Sequence, residues 1–168
     1  HPGINHPANS NKTPKVSVRW QAFSAHDDLS SFLNLNRASS LREAKSAFNG
    51  FSAPGLHVIA ADKNNIVSFC AATLPDFTGR RKPFIFDGTA GSGEWSDMVS
   101  VDDLPSSSNP ESGYIISANT RPSGESPVFI SQFFAPNARS VRLQQLLSRN
   151  QRFSVEDFSS MQHDQISP

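Results

Sequence analysis

Cysteine is nearly absent: Cys70 is the one thiol in 168 residues. A lone thiol excludes an internal disulfide framework and any zinc site built on several thiolates, but it leaves the compartment open, because many exported proteins carry no disulfide. Cys70 stands in the apolar run 66–72, the setting of a buried, inert thiol. Long apolar stretches are missing as well. None approaches the roughly 18 residues of a membrane-spanning helix, and no charged start followed by an apolar core marks a signal peptide, so a soluble chain is expected. Neither charge is in excess: 15 Lys and Arg offset 15 Asp and Glu without blocks of one sign. The electrostatic footprint of a nucleic-acid or anionic-membrane binder is therefore lacking, and we expect neither partner.

The compact catalytic signatures are absent too. There is no Gly-x-Ser-x-Gly elbow, no phosphate loop, no dinucleotide fingerprint and no His-Glu-x-x-His. The glycine-rich stretch 88–93 has no lysine to hold a phosphate and reads as a turn. The five histidines are scattered, and His1 and His6 lie too near the start of the sequence to be argued as metal ligands.

A chain of this length has room for one domain with a real core. It begins His1-Pro2-Gly3-Ile4, without methionine, and stops soon after a last helix opens, so we expect residues 1–168 to be a fragment of a larger single domain. Lys15 to Phe23 alternates Val16, Val18, Trp20 and Ala22 with polar residues, the period of a half-covered strand. Leu29, Phe32 and Leu33 recur at helical spacing. Ser40 and Glu43 then stand as a capping box before Ala44, Ala47 and Phe48. Leu56 to Ala61 and Ile66 to Thr73, joined by a polar loop at 62–65, predict a hairpin covered on both faces. Residues 74–112 form a long excursion, ordered rather than slack because Phe84, Phe86, Trp95 and Met98 anchor it. Tyr114 to Ala118 and Val128 to Phe134 predict two further strands. Asn137 is expected to cap a helix through Val141, Leu143, Leu146 and Leu147. Ser154 and Asp157 open a last helix, with Phe153 and Phe158 as its hydrophobic staple. About five strands and four helices, antiparallel where adjacent and without βαβ alternation, make the class α+β.

Two polar residues stand where apolar ones would be easier to place. In the strand from Tyr114, the period of two puts Ile115, Ser117 and Asn119 on one face, which turns polar as the strand ends. A side-chain amide fixed there can donate to a developing oxyanion without changing its protonation state. Arg139 leads the stripe continued by Leu143 and Leu146, although a cation in a first helical turn opposes the helix dipole. Each residue also has a plain reading: Asn119 as a turn residue bonding its own backbone, Arg139 as a surface side chain lying along its stem.

The order of motifs points further. His1-Pro2-Gly3-Ile4, Arg19-Trp20, Asn36-Arg37-Ala38, Ala61-Asp62-Lys63-Asn64-Asn65-Ile66 and Gly93-Glu94-Trp95 come in sequence. They are followed by Asn109-Pro110-x-x-Gly113-Tyr114-Ile115, Ala118-Asn119, Arg139-x-x-Arg142-Leu143 and Met161-Gln162-x-Asp164. In this series the chain resembles the penicillin acylase family of N-terminal nucleophile (Ntn) hydrolases, as an internal stretch of the catalytic β chain. The resemblance implies part of a four-layer αββα sandwich with antiparallel sheets. It also implies an autoprocessed amidase in which a serine at a new N-terminus attacks an amide and forms an acyl-enzyme. In that scheme Asn119 matches the oxyanion-hole asparagine, and Arg139 the arginine that holds it.

The departures carry expectations of their own. Residue 1 is histidine and no internal serine matches the nucleophile, so this polypeptide by itself is expected to be inactive. Some members bind calcium. Pro83 aligns with a backbone-carbonyl ligand there, but the accompanying aspartate falls near Val128, which offers no side-chain oxygen, so we expect neither metal nor other cofactor. The implied partners are a small N-acyl amide, such as a β-lactam side chain or an acyl-homoserine lactone, and the α chain of the same precursor. The implied location is the periplasm or the cell exterior. The competing reading is an acylase-like binding or structural module without catalysis.

Overall fold

The computed structural model describes residues 16–23, 27–76, 85–87, 89, 94–95, 97–122, 126, 128–131, 133–149 and 152–166. Helix α1 (Asp28–Leu35) starts where the Asp27 carboxylate accepts the Ser30 N–H at 3.1 Å, relieving one orphan donor of the first turn. Helix α2 (Leu41–Ser46) starts at Ser40, whose hydroxyl accepts the Glu43 N–H at 3.2 Å. The expected capping box is half present, because the Glu43 carboxylate turns to the N–H and hydroxyl of Ser39, at 2.7 and 2.8 Å. These bonds to Ser39 hold the Glu43 carboxyl below its usual range.

The hairpin is formed by β1 (Leu56–Ala61) and β2 (Ile66–Ala71), paired antiparallel from Leu56↔Ala71 to Ala61↔Ile66, so the second strand ends two residues before the expected Thr73. Asp62 closes its loop by accepting the N–H groups of Asn64 and Asn65, both at 2.8 Å, as a short acid does in a turn. The register places Leu56, Val58, Phe69 and Ala71 on one face and His57, Ile59, Ser68 and Cys70 on the other. Phe69 and Ala71 pack with Ala47, Phe48 and Phe51, and Leu35, Leu56 and Val58 border that cluster. Phe48 meets Phe32, Phe51 and Phe69 edge to face at 5.9, 5.5 and 5.8 Å, the arrangement that ring quadrupoles favour. Ser68 and Cys70 are also buried, so β2 is covered on both faces as expected, while Ile59 on β1 is exposed. Burial pushes the Cys70 thiol up from its ordinary value, in keeping with an inert thiol.

Among the described residues, three further strands differ from expectation. The 74–112 excursion contributes β3 (Leu74–Pro75) and β4 (Met98–Val99), paired with each other, and β5 (Ser106–Ser108), which adds to β2 and gives the order β1-β2-β5. Asn109 fastens that addition. At φ 45° it accepts the Ile66 N–H through Oδ1 at 2.9 Å and donates from Nδ2 to Asn65 Oδ1 at 2.8 Å.

The alternating run at 16–23 is not a strand. Residues 16–20 are exposed, with one isolated bridge at Ser17, and Gln21–Phe23 is a 3-10 turn in which Trp20 meets Phe23 at 5.5 Å. Among the described residues no sheet face covers the alternating side, and Val16, Val18 and Trp20 are exposed. Arg19 instead stacks on Trp95 at 4.6 Å and pairs with Glu94, tying down the excursion. Residues 114–118, 128–131 and 133–134 are likewise outside any ladder, since alternation supplies a strand's faces but not a neighbour to pair with.

The last two helices are α3 (Ala138–Leu147) and α4 (Val155–Gln162). Asn137 occupies the N-cap position of α3, but with φ −80° and ψ 2° its side chain makes no capping bond. The Ser140 hydroxyl donates to the Asn137 carbonyl at 2.8 Å instead. Helix α4 has the complete Ser154–Asp157 box, and Phe153 packs on Phe158 at 5.8 Å, as its sequence predicts. Helices together with antiparallel sheet make the fold α+β.

Candidate functional site

Asn119 ends the 114–118 segment in the left-handed conformation, at φ 59°. Asparagine is among the few non-glycine residues that tolerate this region. Its carbonyl accepts the Ala135 N–H at 2.8 Å, joining the segment to the chain that leads into α3. From the first turn of α3, Arg139 Nη2 donates to the Ala118 carbonyl at 3.0 Å and to Asn119 Oδ1 at 2.8 Å. An arginine has donors only, so the amide atom facing it is the oxygen, and the Asn119 NH2 points the other way. Among the described residues no acceptor takes that NH2, and Asn119 is exposed.

The unfavourable placement of a cation in a first helical turn thus has a local reason. Arg139 spends its charge on a carbonyl and an amide oxygen brought to it by the turn at 118–119. It lies in line with Leu143 and Leu146, as the spacing predicts, yet Arg139 itself is exposed and the stripe faces a cavity.

That cavity has a volume of about 270 Å³. Ser117 and Ala118 form one wall, and Ala138, Arg139, Arg142, Leu143 and Leu146 of α3 form another. Met161 of α4 and the following Asp164 and Ile166 close it. Asn119, the next residue after Ala118, is outside the lining. Arg142 grips Asp164 with a two-point fork, Nε to Oδ1 at 2.9 Å and Nη2 to Oδ2 at 2.6 Å. With side chains 15% and 17% exposed, the pair is largely shielded from solvent. The Arg142 hydrogen bonds hold the Asp164 carboxyl below the usual carboxylate range and raise the guanidinium in turn.

A further contact reaches the segment from the sheet. His57 Nδ1 lies 2.9 Å from the Ser117 hydroxyl, linking β1 to the residue two before Asn119. Burial lowers the His57 pKa from 6.5, favouring the neutral ring. Ser117 belongs to the polar face marked by the sequence, but His57 gives no local signal, because it stands inside an apolar strand 60 residues away. Arg142 and Asp164 lie 22 residues apart, and no spacing rule pairs them.

Among the described residues no three His, Cys, Asp or Glu side chains converge as a metal site, and no helix is long and apolar enough to cross a membrane. Pro83 and the glycine-rich stretch 88–93, apart from Thr89, lie outside the described residues. Val128 is described and offers no side-chain oxygen.

Among comparisons with known proteins, the family model for penicillin amidase matches residues 2–168 of the chain. No curated protein matches it.

Proposed function

Because the chain belongs to the penicillin amidase family, we propose that it supplies the oxyanion-stabilising part of an amidohydrolase that cleaves small N-acyl compounds. The observation that carries this reading is the 2.8 Å bond from Arg139 to Asn119 Oδ1, which leaves the amide NH2 turned away from it, without an acceptor among the described residues.

In the proposed reaction, a serine at the N-terminus of a processed chain, contributed from outside these 168 residues, attacks the amide carbonyl. Its own α-amine takes the hydroxyl proton, and the carbonyl π electrons move onto oxygen. Asn119 Nδ2 donates to that oxyanion. Collapse of the intermediate breaks the C–N bond, the amine leaves with a proton, and water hydrolyses the ester that remains. An amide donor suits the task because its protonation is the same at every pH the enzyme meets. Arg139 acts on Asn119 rather than on the substrate.

The proposal has further parts: an α chain cut from the same precursor as partner, a four-layer sandwich completed by that partner, and a location in the periplasm or outside the cell. A β-lactam side chain and an acyl-homoserine lactone are the substrate classes to try first.

The test is Asn119→Ala in the complete processed enzyme. Loss of one oxyanion donor lowers kcat by a factor of about 100 to 1,000. The KM for the amide should change little, since the interaction forms only as charge develops. Wild-type turnover by this variant would refute the role. Saturable binding of N-acyl compounds by the wild-type enzyme without any turnover would favour the non-catalytic module instead.

A further inference from the structure

We propose that Arg142 and Asp164 are positioning residues for the Asn119 site, their ion pair fixing the roll of α3 and so the point from which Arg139 holds Asn119. The inference rests on the oxyanion reading of Asn119.

Arg139 reaches its two acceptors on a long, rotatable stem, from a helix end that lacks a side-chain cap at Asn137. Something else must set the rotation of that first turn. Arg142 is three residues on and lines the same cavity. Its planar fork engages both oxygens of one carboxylate, a two-point contact that resists rotation where a single bond would swivel. The remaining terminal nitrogen, Nη1, donates to Gln145 Oε1 at 3.1 Å, within α3 itself. The guanidinium is therefore braced on its own helix as well as across to Asp164.

The far end is equally fixed. Asp164 donates its N–H to the Met161 carbonyl at 3.1 Å, extending α4, and its Oδ1 also accepts the Ile166 N–H at 3.2 Å. Helix α4 in turn starts from a complete capping box. With both side chains mostly shielded, salt screens the pair little. An apolar pair of similar volume would hold two helices together as well or better, so what the charged fork adds is direction.

The experiment uses the complete processed enzyme, with kcat counted per titrated active site. Asp164→Asn should lower kcat about ten-fold with KM unchanged, within the roughly 100-fold that a 1 Å misplacement can cost. In an Arg139→Ala background the same change should add no further loss, because its route is then already cut. The double variant Arg142→Met/Asp164→Leu leaves no unpaired charge to unfold the protein. It should fold and show the same lowered kcat. Wild-type kcat in that double variant, or a loss from Asp164→Asn that multiplies with that of Arg139→Ala, would overturn the inference. If Asn119→Ala and Arg139→Ala both keep wild-type kcat, the oxyanion reading falls and takes this proposal with it. If those two lose activity while the Asp164 and Arg142 variants do not, only the positioning role is refuted.

Discussion

Replacing Arg139 by lysine keeps a positive charge and removes the planar guanidinium, which separates what the charge does from what the geometry does. Arg139 makes two hydrogen bonds through Nη2, to the Ala118 carbonyl and Asn119 Oδ1. A bond from a charged donor contributes about 1.5 to 3 kcal/mol. Arg139 is exposed, so the lower figure applies to each. Together they amount to about 3 kcal/mol, or roughly 100-fold in rate if all of it orients Asn119 for the transition state. The Ala135 N–H still holds the Asn119 carbonyl when the arginine is gone, so part of the orientation survives. Arg139→Ala should therefore lower kcat by about 10- to 100-fold, and Arg139→Lys, whose ammonium has donors for both acceptors but lacks the planar, pre-organised guanidinium, by about ten-fold or less. The assay is pre-steady-state acylation of the processed enzyme with a chromogenic N-acyl amide. On the proposed role arginine acts through asparagine, so Arg139→Ala/Asn119→Ala should be no slower than Asn119→Ala alone. Equal rates for all three residues at position 139, or independent losses in the double variant, would refute the reasoning.

Three further outcomes follow from the fold. Phe48→Ala removes a ring that is 2% exposed and in contact with three others, and should destabilise the chain by about 3 to 5 kcal/mol, read as a lower denaturation midpoint at unchanged slope. Asn109→Ala loses two side-chain bonds and strains a residue at φ 45°, whereas Asn109→Gly loses the bonds but accepts the backbone. The alanine variant should be the less stable by roughly 1 kcal/mol, and the reverse order in thermal unfolding would contradict the clasp. His57 should titrate below 6.5 by NMR. Its folded pKa is depressed, so the stability this adds is complete above the unfolded value and is lost as pH falls from about 6.5 through the folded one. Ser117→Ala should leave the midpoint depressed, because burial is the cause, and a return to the ordinary value would contradict that.

Helices and hairpin were legible because their signals are local. Ser40, Ser154 with Asp157, and the loop at 62–65 each act within a few residues, and the structure uses them there. Strands were legible only where both partners lie in one hairpin. Residues 16–22 and 114–118 alternate as strands do yet lack a ladder, while the polar Ser106–Ser108 becomes one by lying against β2. Sequence alternation reports which faces a strand would have and says nothing about who sits beside it. Among the described residues there are again five strands, of which the two hairpin strands were the expected ones. At the site, the polar face at Ser117 and Asn119 and the odd placement of Arg139 could be read from periodicity. Their meeting across 20 residues could not, and it came from the family resemblance. His57 and the Arg142–Asp164 fork were hidden for the same reason, being contacts between elements distant in sequence.

The most direct measurement is the affinity of a boronic acid that carries an accepted substrate's acyl group and forms a tetrahedral adduct with the serine nucleophile. If the Asn119 amide receives the oxyanion, Asn119→Ala should weaken this inhibitor by about the 100- to 1,000-fold expected for turnover while binding of the planar amide stays near wild type. Equal weakening of both ligands, or of neither, would contradict the account.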